Sequence, residues 1–558
     1  MGRSFEIMVR EYSIGEIVKN LRNTWFLVVP SFQRGYRWKE KDIVNLLDSI
    51  VKGYPIGHII VWETGDASIV EEIDPFAKPL ISVEPSGKTG YIVVDGQQRL
   101  ISLGLLFHNF KITRGDETVE IEPISYDITR DRFLVGEKRG IRLDVIIDAY
   151  IKGESKALRE LLGKLPETEL EKVRNLAIAI RDYKIPFYII RTSRIDEDVI
   201  DSVIEAFIRV NKYGTPIKGP EIMMSYLTKQ YGGKLKNGVE KIYKEIGRRY
   251  KIDLEPILRF IISCLNIKQS AVSDPKRFKA SLRKASETLE TTQLDKFISN
   301  VTGAFRLTID FLRKIGISSG EILPTQIPLI ILSRYFYEAK ITDINTLSDS
   351  ELKDMENWFV LVSFHGYYSS KTNTKIDNDI KTLAGKGRFP YNELINNIEK
   401  SKLPIKIRFK DIERGKYVDL TKKPARSYLF LLYMLLVKNN ATDWSGILIH
   451  SCKWESLARH HIFPRKVISE NIDLEDYEDL GIYAGNLGNI TIINGGVNSE
   501  IGESKPIDYL EKYINQLPQH MIPVDKELWR IDNYEEFINR RIHLIYENAK
   551  KHYPEIVE

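Results

Sequence analysis

Two adjacent histidines and a proline share one short run near the C-terminus, His460-His461-Ile462-Phe463-Pro464, with Asn489 and Asn498 downstream. Neighbouring side chains of a regular strand point to opposite faces. His460 and His461 can therefore serve one centre only where the backbone bends, and Pro464 favours such a departure from regular strand. Asn489-Ile490-Thr491-Ile492-Ile493 reads as a strand, Asn494-Gly495-Gly496 as a turn, and Asn498 falls near the start of a helix. The predicted unit is a ββα arrangement that gathers two imidazoles and two amides.

Those residue types suit phosphodiester hydrolysis. The reaction needs an activated water and stabilisation of charge on the phosphoryl group, which one hard divalent cation supplies. A neutral imidazole is the best side-chain base near pH 7. An asparagine on the strand can pin the loop that carries the base, and one on the helix can offer its amide oxygen to a cation.

The 558-residue chain is long enough for two to four domains, and its 43% hydrophobic and 28% charged residues are those of a soluble globular protein. No apolar stretch reaches ~18 residues, so no membrane span is expected. MGRSFEIMVREYSIGEIV mixes charged and apolar residues too finely for a signal peptide. Only two cysteines occur, Cys264 and Cys452, without CxxC partners. This excludes a thiolate zinc site, agrees with a reducing cytoplasm, and leaves both to be read as small buried hydrophobes.

A net charge of +5 is too small to imply a polyanionic partner, but its distribution is uneven. Lys400 to Arg426 holds ten Lys or Arg against three acidic residues, interleaved with Ile405, Ile407, Phe409 and Tyr417. Lys406, Arg408, Lys410, Lys422, Lys423 and Arg426 are the candidate DNA-backbone contacts there. A second basic cluster, Arg248-Arg249-Tyr250-Lys251, reads as a charged helix surface.

Periodicity divides the chain into an α+β protein of three parts. Residues 1–235 mix strands (Trp25–Val29, Ile59–Trp62, Tyr91–Val94, Pro186–Ile190) with helices (from Ile43 to Val51, Gln98 to Phe110, and Val199 to Ile208). Residues 236–404 are helical in pattern. Residues 405–558 are helical around the strand-rich histidine segment, with Tyr428–Leu436 as a core helix.

Three clusters stand out in the first part. Pro30-Ser31-Phe32-Gln33-Arg34-Gly35-Tyr36-Arg37-Trp38 lies on a loop between strand and helix. Asp95-Gly96-Gln97-Gln98-Arg99 sits where a strand ends and a helix begins, a place where backbone N–H groups favour phosphate. Gly96 permits the tight turn, Arg99 can fork onto phosphate oxygens, and Asp95 can hold a metal or position a water that Gln97 and Gln98 orient. The third cluster runs from Phe207 to Pro216 and includes Asn211 and Gly214. No Walker A sequence is present.

These clusters resemble the motifs of the DUF262 family, [FY]QR-x-[YF]-x-W, DGQQR and F-x-x-x-N-x-x-G. The resemblance implies a ParB/sulfiredoxin-like fold that binds and often hydrolyses a nucleoside triphosphate, through Gln33, Arg34, Tyr36, Trp38, Asp95 to Arg99 and Asn211. Residues 405–558 resemble the DUF1524 branch of the HNH nucleases, with H-I-x-P at His461–Pro464, G-N-[IL]-x-[IL] at Gly488–Ile492, and the final asparagine at Asn498. Carried over, His461 is the base, Asn489 orients it, and His460 and Asn498 are metal ligands. Many relatives carry an acidic residue where this chain has His460, a swap that shifts preference toward a softer metal.

The two resemblances together are the architecture of GmrSD-type modification-dependent restriction enzymes. They imply a divalent metal (Mg²⁺ or Mn²⁺), a nucleoside triphosphate with GTP favoured by the family, and DNA, modified or not, as partner, and they are compatible with a homo-oligomer. Two other readings stay open: a non-hydrolytic N-terminal sensor of modified DNA, and a degenerate nuclease that only binds DNA.

Overall fold

The computed structural model describes residues 6–558 except 31–35, 37, 68–69, 71–76, 115–116, 137–139, 193–226, 228–230, 232–233, 236, 273–274, 290–292, 423–424 and 473–476. Gln33, Arg34, Phe207, Asn211, Gly214, Lys423 and the expected helix from Val199 to Ile208 lie outside the described residues. The chain divides into two compact units, Met1–Lys229 and Gln230–Glu558.

The first unit is built on a mixed sheet. Its strands are β1 (Glu6–Ser13), β2 (Trp25–Val29), β3 (Ile59–Asp66), β4 (Lys78–Pro79) and β5 (Thr89–Asp95), with four short strands and β10 (Ile141–Arg142) before β11 (Lys184–Arg191). The short ones are β6 (Lys111–Arg114), β7 (Glu117–Glu120), β8 (Ile124–Asp127) and β9 (Arg132–Val135). The six-stranded sheet has the order β1-β11-β3-β5-β2-β4. β11 runs parallel to β3, β3 antiparallel to β5, and β5 parallel to β2.

Every residue of β2 is buried, and alternation assigns its side chains to two cores. Trp25, Leu27 and Val29 join Val61 and Val93 in the larger one. Phe26 and Val28 join Ile60, Trp62, Ile92 and Val94 in the smaller. A sheet covered on both faces explains why these strands read as continuous apolar runs. Along the edge, β1 pairs with β11 from Glu6↔Arg191 to Ser13↔Lys184. Ile7 and Val9 of β1 remain more than half exposed, so this strand carries no burial pattern for the sequence to reveal.

The second unit is dominated by helices. Leu254–Cys264, Leu294–Lys314, Pro328–Glu338, Asp349–Phe364 and Arg426–Lys438 bury most of their apolar residues. The Tyr433 hydroxyl donates to the Gly316 carbonyl at 2.6 Å, and Glu356 takes Lys438 Nζ at 2.8 Å and the Tyr553 hydroxyl at 2.9 Å. The C-terminus closes over Ile407, which donates to Ile556 O at 2.7 Å and accepts from Glu558 N at 3.0 Å. Within this frame β12 (Leu457–His461) pairs antiparallel with β13 (Ile490–Asn494), and the helix Gly495–Ile501 follows. No helix among the described residues is long and apolar enough to cross a membrane. Cys264 and Cys452 are free and buried.

One core carboxyl is out of keeping with its surroundings. Asp379 is fully buried, takes the Tyr368 hydroxyl at 2.6 Å and Asn397 Nδ2 at 2.8 Å, and is pushed by burial up to about 7. From pH ~4 to ~7 the unfolded chain gives up this proton while the folded one keeps it, so stability falls by up to ~1.4 kcal/mol per pH unit from this group and is flat above. Asp379→Asn keeps a neutral side chain of the same shape. The urea midpoint of the variant is expected to change less between pH 5 and pH 7.5 than that of the wild type; equal changes would contradict the assignment.

Candidate functional site

His460 pairs with Thr491 and His461 with Ile490 across the two strands, so the adjacent imidazoles leave on opposite faces; the bend expected to turn both to one centre comes only after His461. His460 is buried at 2% exposure, with its ring 5.5 Å from Trp444 and 5.6 Å from Tyr509. Its Nε2 lies 2.8 Å from the Tyr509 hydroxyl, and that hydroxyl donates its one hydrogen to the Ile462 carbonyl at 2.8 Å. The hydroxyl can then only accept from Nε2–H, which fixes neutral His460 with a bare Nδ1. Burial pulls His460 down to about 4, so it is neutral at physiological pH.

The bare Nδ1 faces Asn498 Oδ1 at 2.9 Å. Two acceptors this close repel unless the amide turns or a cation lies against both. Cis ligands of a hard cation at ~2.1 Å stand about 3 Å apart, so the donor pair fits one. Among the described residues no three His, Cys, Asp or Glu side chains converge on a common point, so the protein offers an imidazole and an amide rather than a closed cage. Asn498 reaches this position because a helix begins earlier than expected. Asn494 caps it, accepting from Gly496 N at 2.8 Å, and Gly495-Gly496 form its first turn rather than a hairpin turn.

His461 is half-buried. Its Nε2 is enclosed and makes no hydrogen bond among the described residues. Burial, aided by Arg465 and Arg459 and opposed by Asp419, lowers its pKa below the ordinary histidine value. The backbone after it is held by Asn489, which lies just before β13 and is fully buried. Asn489 Oδ1 accepts from Phe463 N at 2.8 Å, and its Nδ2 donates to Phe463 O at 2.9 Å and Ala484 O at 2.8 Å. Ile462 N also donates to Asn489 O at 2.9 Å.

Four residues around this centre escaped sequence reasoning. Tyr509 sets the His460 tautomer. Arg541 is fully buried and donates to Gly488 O at 3.0 Å, Leu487 O at 3.5 Å and His520 O at 3.4 Å. Burial pulls its pKa down to about 9, against the opposing pull of Tyr509, and it stays cationic at pH 7. His520 takes the Thr491 hydroxyl at 2.7 Å on Nδ1 and lies 2.8 Å from Thr442 O through Nε2. Asp443 is buried and accepts from Ser445 and Ile447 backbone N–H groups, both at 3.0 Å.

In the N-terminal unit, Asp95 ends β5 and Gly96 starts the helix Gln97–Phe107 at φ 91°. Its positive φ is what keeps the position for glycine. Arg99 turns inward, donating to Ile56 O at 2.9 Å with Asp95 at 3.7 Å. Gln97 and Gln98 are buried, and Gln98 Oε1 accepts from Trp38 N at 3.3 Å. Tyr36 and Trp38 pack against the larger core, and the Tyr36 hydroxyl lies 2.9 Å from Ser102 Oγ. The fold thus brings Asp95, Arg99, Gln98 and Trp38 to one strand–helix junction.

The basic stretch is partly spent on the protein itself. Lys406 Nζ donates to Glu555 O at 2.5 Å, Arg408 pairs with Asp411 at 3.0 Å, and Lys422 lies 4.0 Å from Asp419. Lys410 lies within the short helix Phe409–Glu413, and Arg426 lines a cavity of about 760 Å³ with Arg248 and Lys251.

Replacing Asn489 by Ala leaves Phe463 N–H and two carbonyls buried without partners. A loss of about 2–5 kcal/mol in unfolding free energy is expected, well beyond the ~0.5 kcal/mol of an ordinary surface change. Urea titration measures it, and a midpoint within error of wild type would refute the clamp.

Over 523 residues, which span 88% of this chain and 84% of the relative, the chain is 21% identical to an uncharacterized protein of Methanocaldococcus jannaschii. That alignment extends into both compact units. Residues 14–228, nearly the whole of the first unit, match the family model of the GmrSD restriction endonuclease N-terminal domain, and this match supports a GmrSD-type relationship for the chain.

Proposed function

We propose that the chain is a divalent-metal-dependent HNH endonuclease of a GmrSD-type restriction system, cutting DNA in defence against phage, with an N-terminal unit that binds and hydrolyses a nucleoside triphosphate. The observation that carries the nuclease reading is the paired arrangement around β12. His461 leaves one face of β12, the backbone after it clamped by Asn489, and His460 Nδ1 lies 2.9 Å from Asn498 Oδ1 on the opposite face. His461 is the last residue of the strand, so a phosphate would have to lie across that end to meet both.

His460 and Asn498 would hold the cation; the amide and phosphate oxygens suit Mg²⁺ or Mn²⁺, and the imidazole tilts the choice toward the softer of the two, Mn²⁺. When bound, such a cation stabilises negative charge on the phosphoryl and leaving oxygens. His461 accepts the proton of the attacking water at a ring nitrogen. Asn489 keeps the imidazole aimed by fixing Phe463. Burial, with Arg465 and Arg459, keeps His461 neutral, and the two guanidiniums would be available to meet a phosphate's charge. Asp95 and Gln97, at the start of the helix Gln97–Phe107, would place the water that attacks the nucleotide.

A second reading of the N-terminal unit has its own support. Arg99 and Gln98 already hold Ile56 O and Trp38 N, which favours a shaping role and a sensor of modified DNA that hydrolyses nothing.

Incubating phage or plasmid DNA with Mg²⁺ or Mn²⁺, with and without each nucleoside triphosphate, tests the scheme. His461→Ala is expected to slow cleavage by ~10²–10⁴-fold while leaving phosphate release intact; cutting at the wild-type rate would remove the site assignment. Asp95→Asn is expected to suppress phosphate release and spare metal binding; unchanged release hands the N-terminal unit to the sensor reading.

The base must be neutral to act, and its pKa is lowered. The acid limb of the cleavage profile should therefore have its midpoint below pH 6.5, the ordinary histidine value. Arg465→Gln removes a cation that lowers the pKa and should move that midpoint upward. A midpoint that moves down or stays put would disconnect His461 from the rate.

A further inference from the structure

An open groove of about 1030 Å³ lies in the second unit, between the C-terminal end of the helix Leu294–Lys314 and the segment His450–Glu455. Five permanent cations line it, Arg249, Lys251, Arg313, Lys314 and Lys453, against the carboxylates of Asp310, Asp343 and Glu455. Asp343 is occupied in its own turn, accepting from Asn345 N at 2.9 Å and Nδ2 at 3.0 Å, and Glu455 faces Lys251 at 3.8 Å. Arg313, Lys314 and Lys453 are exposed and form no ion pair among the described residues. Uncompensated cations gathered in a concave surface repel one another and raise the local concentration of anions, and a polyanion that neutralises them gains by releasing its own counterions.

The groove wall is tied to the histidine centre. Asp443 Oδ2 takes Asn494 Nδ2 at 3.2 Å and Cys452 Sγ at 3.7 Å. Cys452 belongs to the groove wall, and Asn494 caps the helix that carries Asn498. A single buried carboxylate thus fixes both. From Glu455 to His460 the chain is at most ~17 Å long, a span over which a DNA duplex carries about ten phosphates. A duplex engaged at His461 would be long enough to reach the groove as well.

We propose that this groove seats the phosphate backbone of duplex DNA beside the scissile bond, a role that rests on the nuclease reading above. It supplies sequence-independent grip from Arg313, Lys314 and Lys453, away from the Lys400–Arg426 stretch whose charges are partly spent internally. The groove binds strand geometry and charge, so it does not distinguish modified from unmodified bases.

Fluorescence anisotropy of a labelled synthetic duplex with the full-length chain in excess chelator, over a salt series, isolates binding from cleavage. R313Q/K314Q/K453Q is expected to weaken binding roughly tenfold or more at low salt and to reduce the slope of log Kd against log salt by about 2 to 3. The exposed control K296Q/K381Q/K550Q should leave both as in the wild type, and thermal melting checks that each variant is folded. A groove variant indistinguishable from wild type, or a control that weakens binding equally, would overturn the seat while leaving DNA as partner. A wild-type chain that binds no duplex at all would take the nuclease reading down with it.

Discussion

The Asn489 side chain is the interaction on which the C-terminal centre depends. It bridges two pieces of chain that have no regular ladder between them, the end of β12 and the turn before β13, with three hydrogen bonds in full burial. A buried backbone N–H or carbonyl without a partner costs more than an ordinary hydrogen bond gains. The bend after His461 is therefore not a loose end of strand but an arrangement in which Phe463 N–H and C=O are both satisfied. Pro464 prevents the strand from continuing, and Asn489 supplies what the lost ladder would have supplied.

Arg541 supports the clamp from beneath. It enters from the helix Tyr534–His552 and gives its hydrogens to Gly488 O and Leu487 O on the residues immediately before Asn489. Gly488 admits that close packing because a Cβ there would meet Ile538 at 2.7 Å, on the same helix. The result is a layered support: a buried guanidinium holds the turn, the turn presents the amide, and the amide fixes the bend that ends the strand, while β12–β13 pairing sets the two imidazoles on opposite faces. The same burial keeps the histidines neutral, since a low-dielectric setting with a cation close by penalises imidazolium.

Much of this was readable in the chain because it lies in local pattern. The apolar runs at Trp25–Val29, Ile59–Trp62 and Tyr91–Val94 coincide with central strands because a sheet buried on both faces demands apolar residues at every position. The edge strand β1 was not readable, since its side chains stay in solvent. At the histidine centre, neighbours in sequence were legible and neighbours in space were not. Arg540 and Arg541 are adjacent and chemically identical, yet one is exposed and the other is fully buried. Tyr509 lies 49 residues from His460 in a short helix without a motif of its own. Only tertiary packing selects such residues. In the charge-rich Lys400–Arg426 stretch, composition does not show which cations have internal partners, and folding gives Lys406 and Arg408 such partners.

The location of the groove follows from the same division between buried and exposed charge. Inside the second unit, cations such as Arg334, Lys438 and Arg541 are met by carboxylates or carbonyls, because an unmet buried charge is untenable. At the surface that demand lapses, and a cluster such as Arg313, Lys314 and Lys453 persists only because water and ions screen it. Arg313, Lys314 and Lys453 are three such exposed cations, and they share one concave surface next to the segment that leads into β12. Asp443 makes the arrangement mechanical as well as electrostatic. It accepts from Cys452 on the groove wall and from Asn494, the cap of the helix that presents Asn498, so one buried carboxylate joins the groove wall to the elements that hold the His460–Asn498 pair.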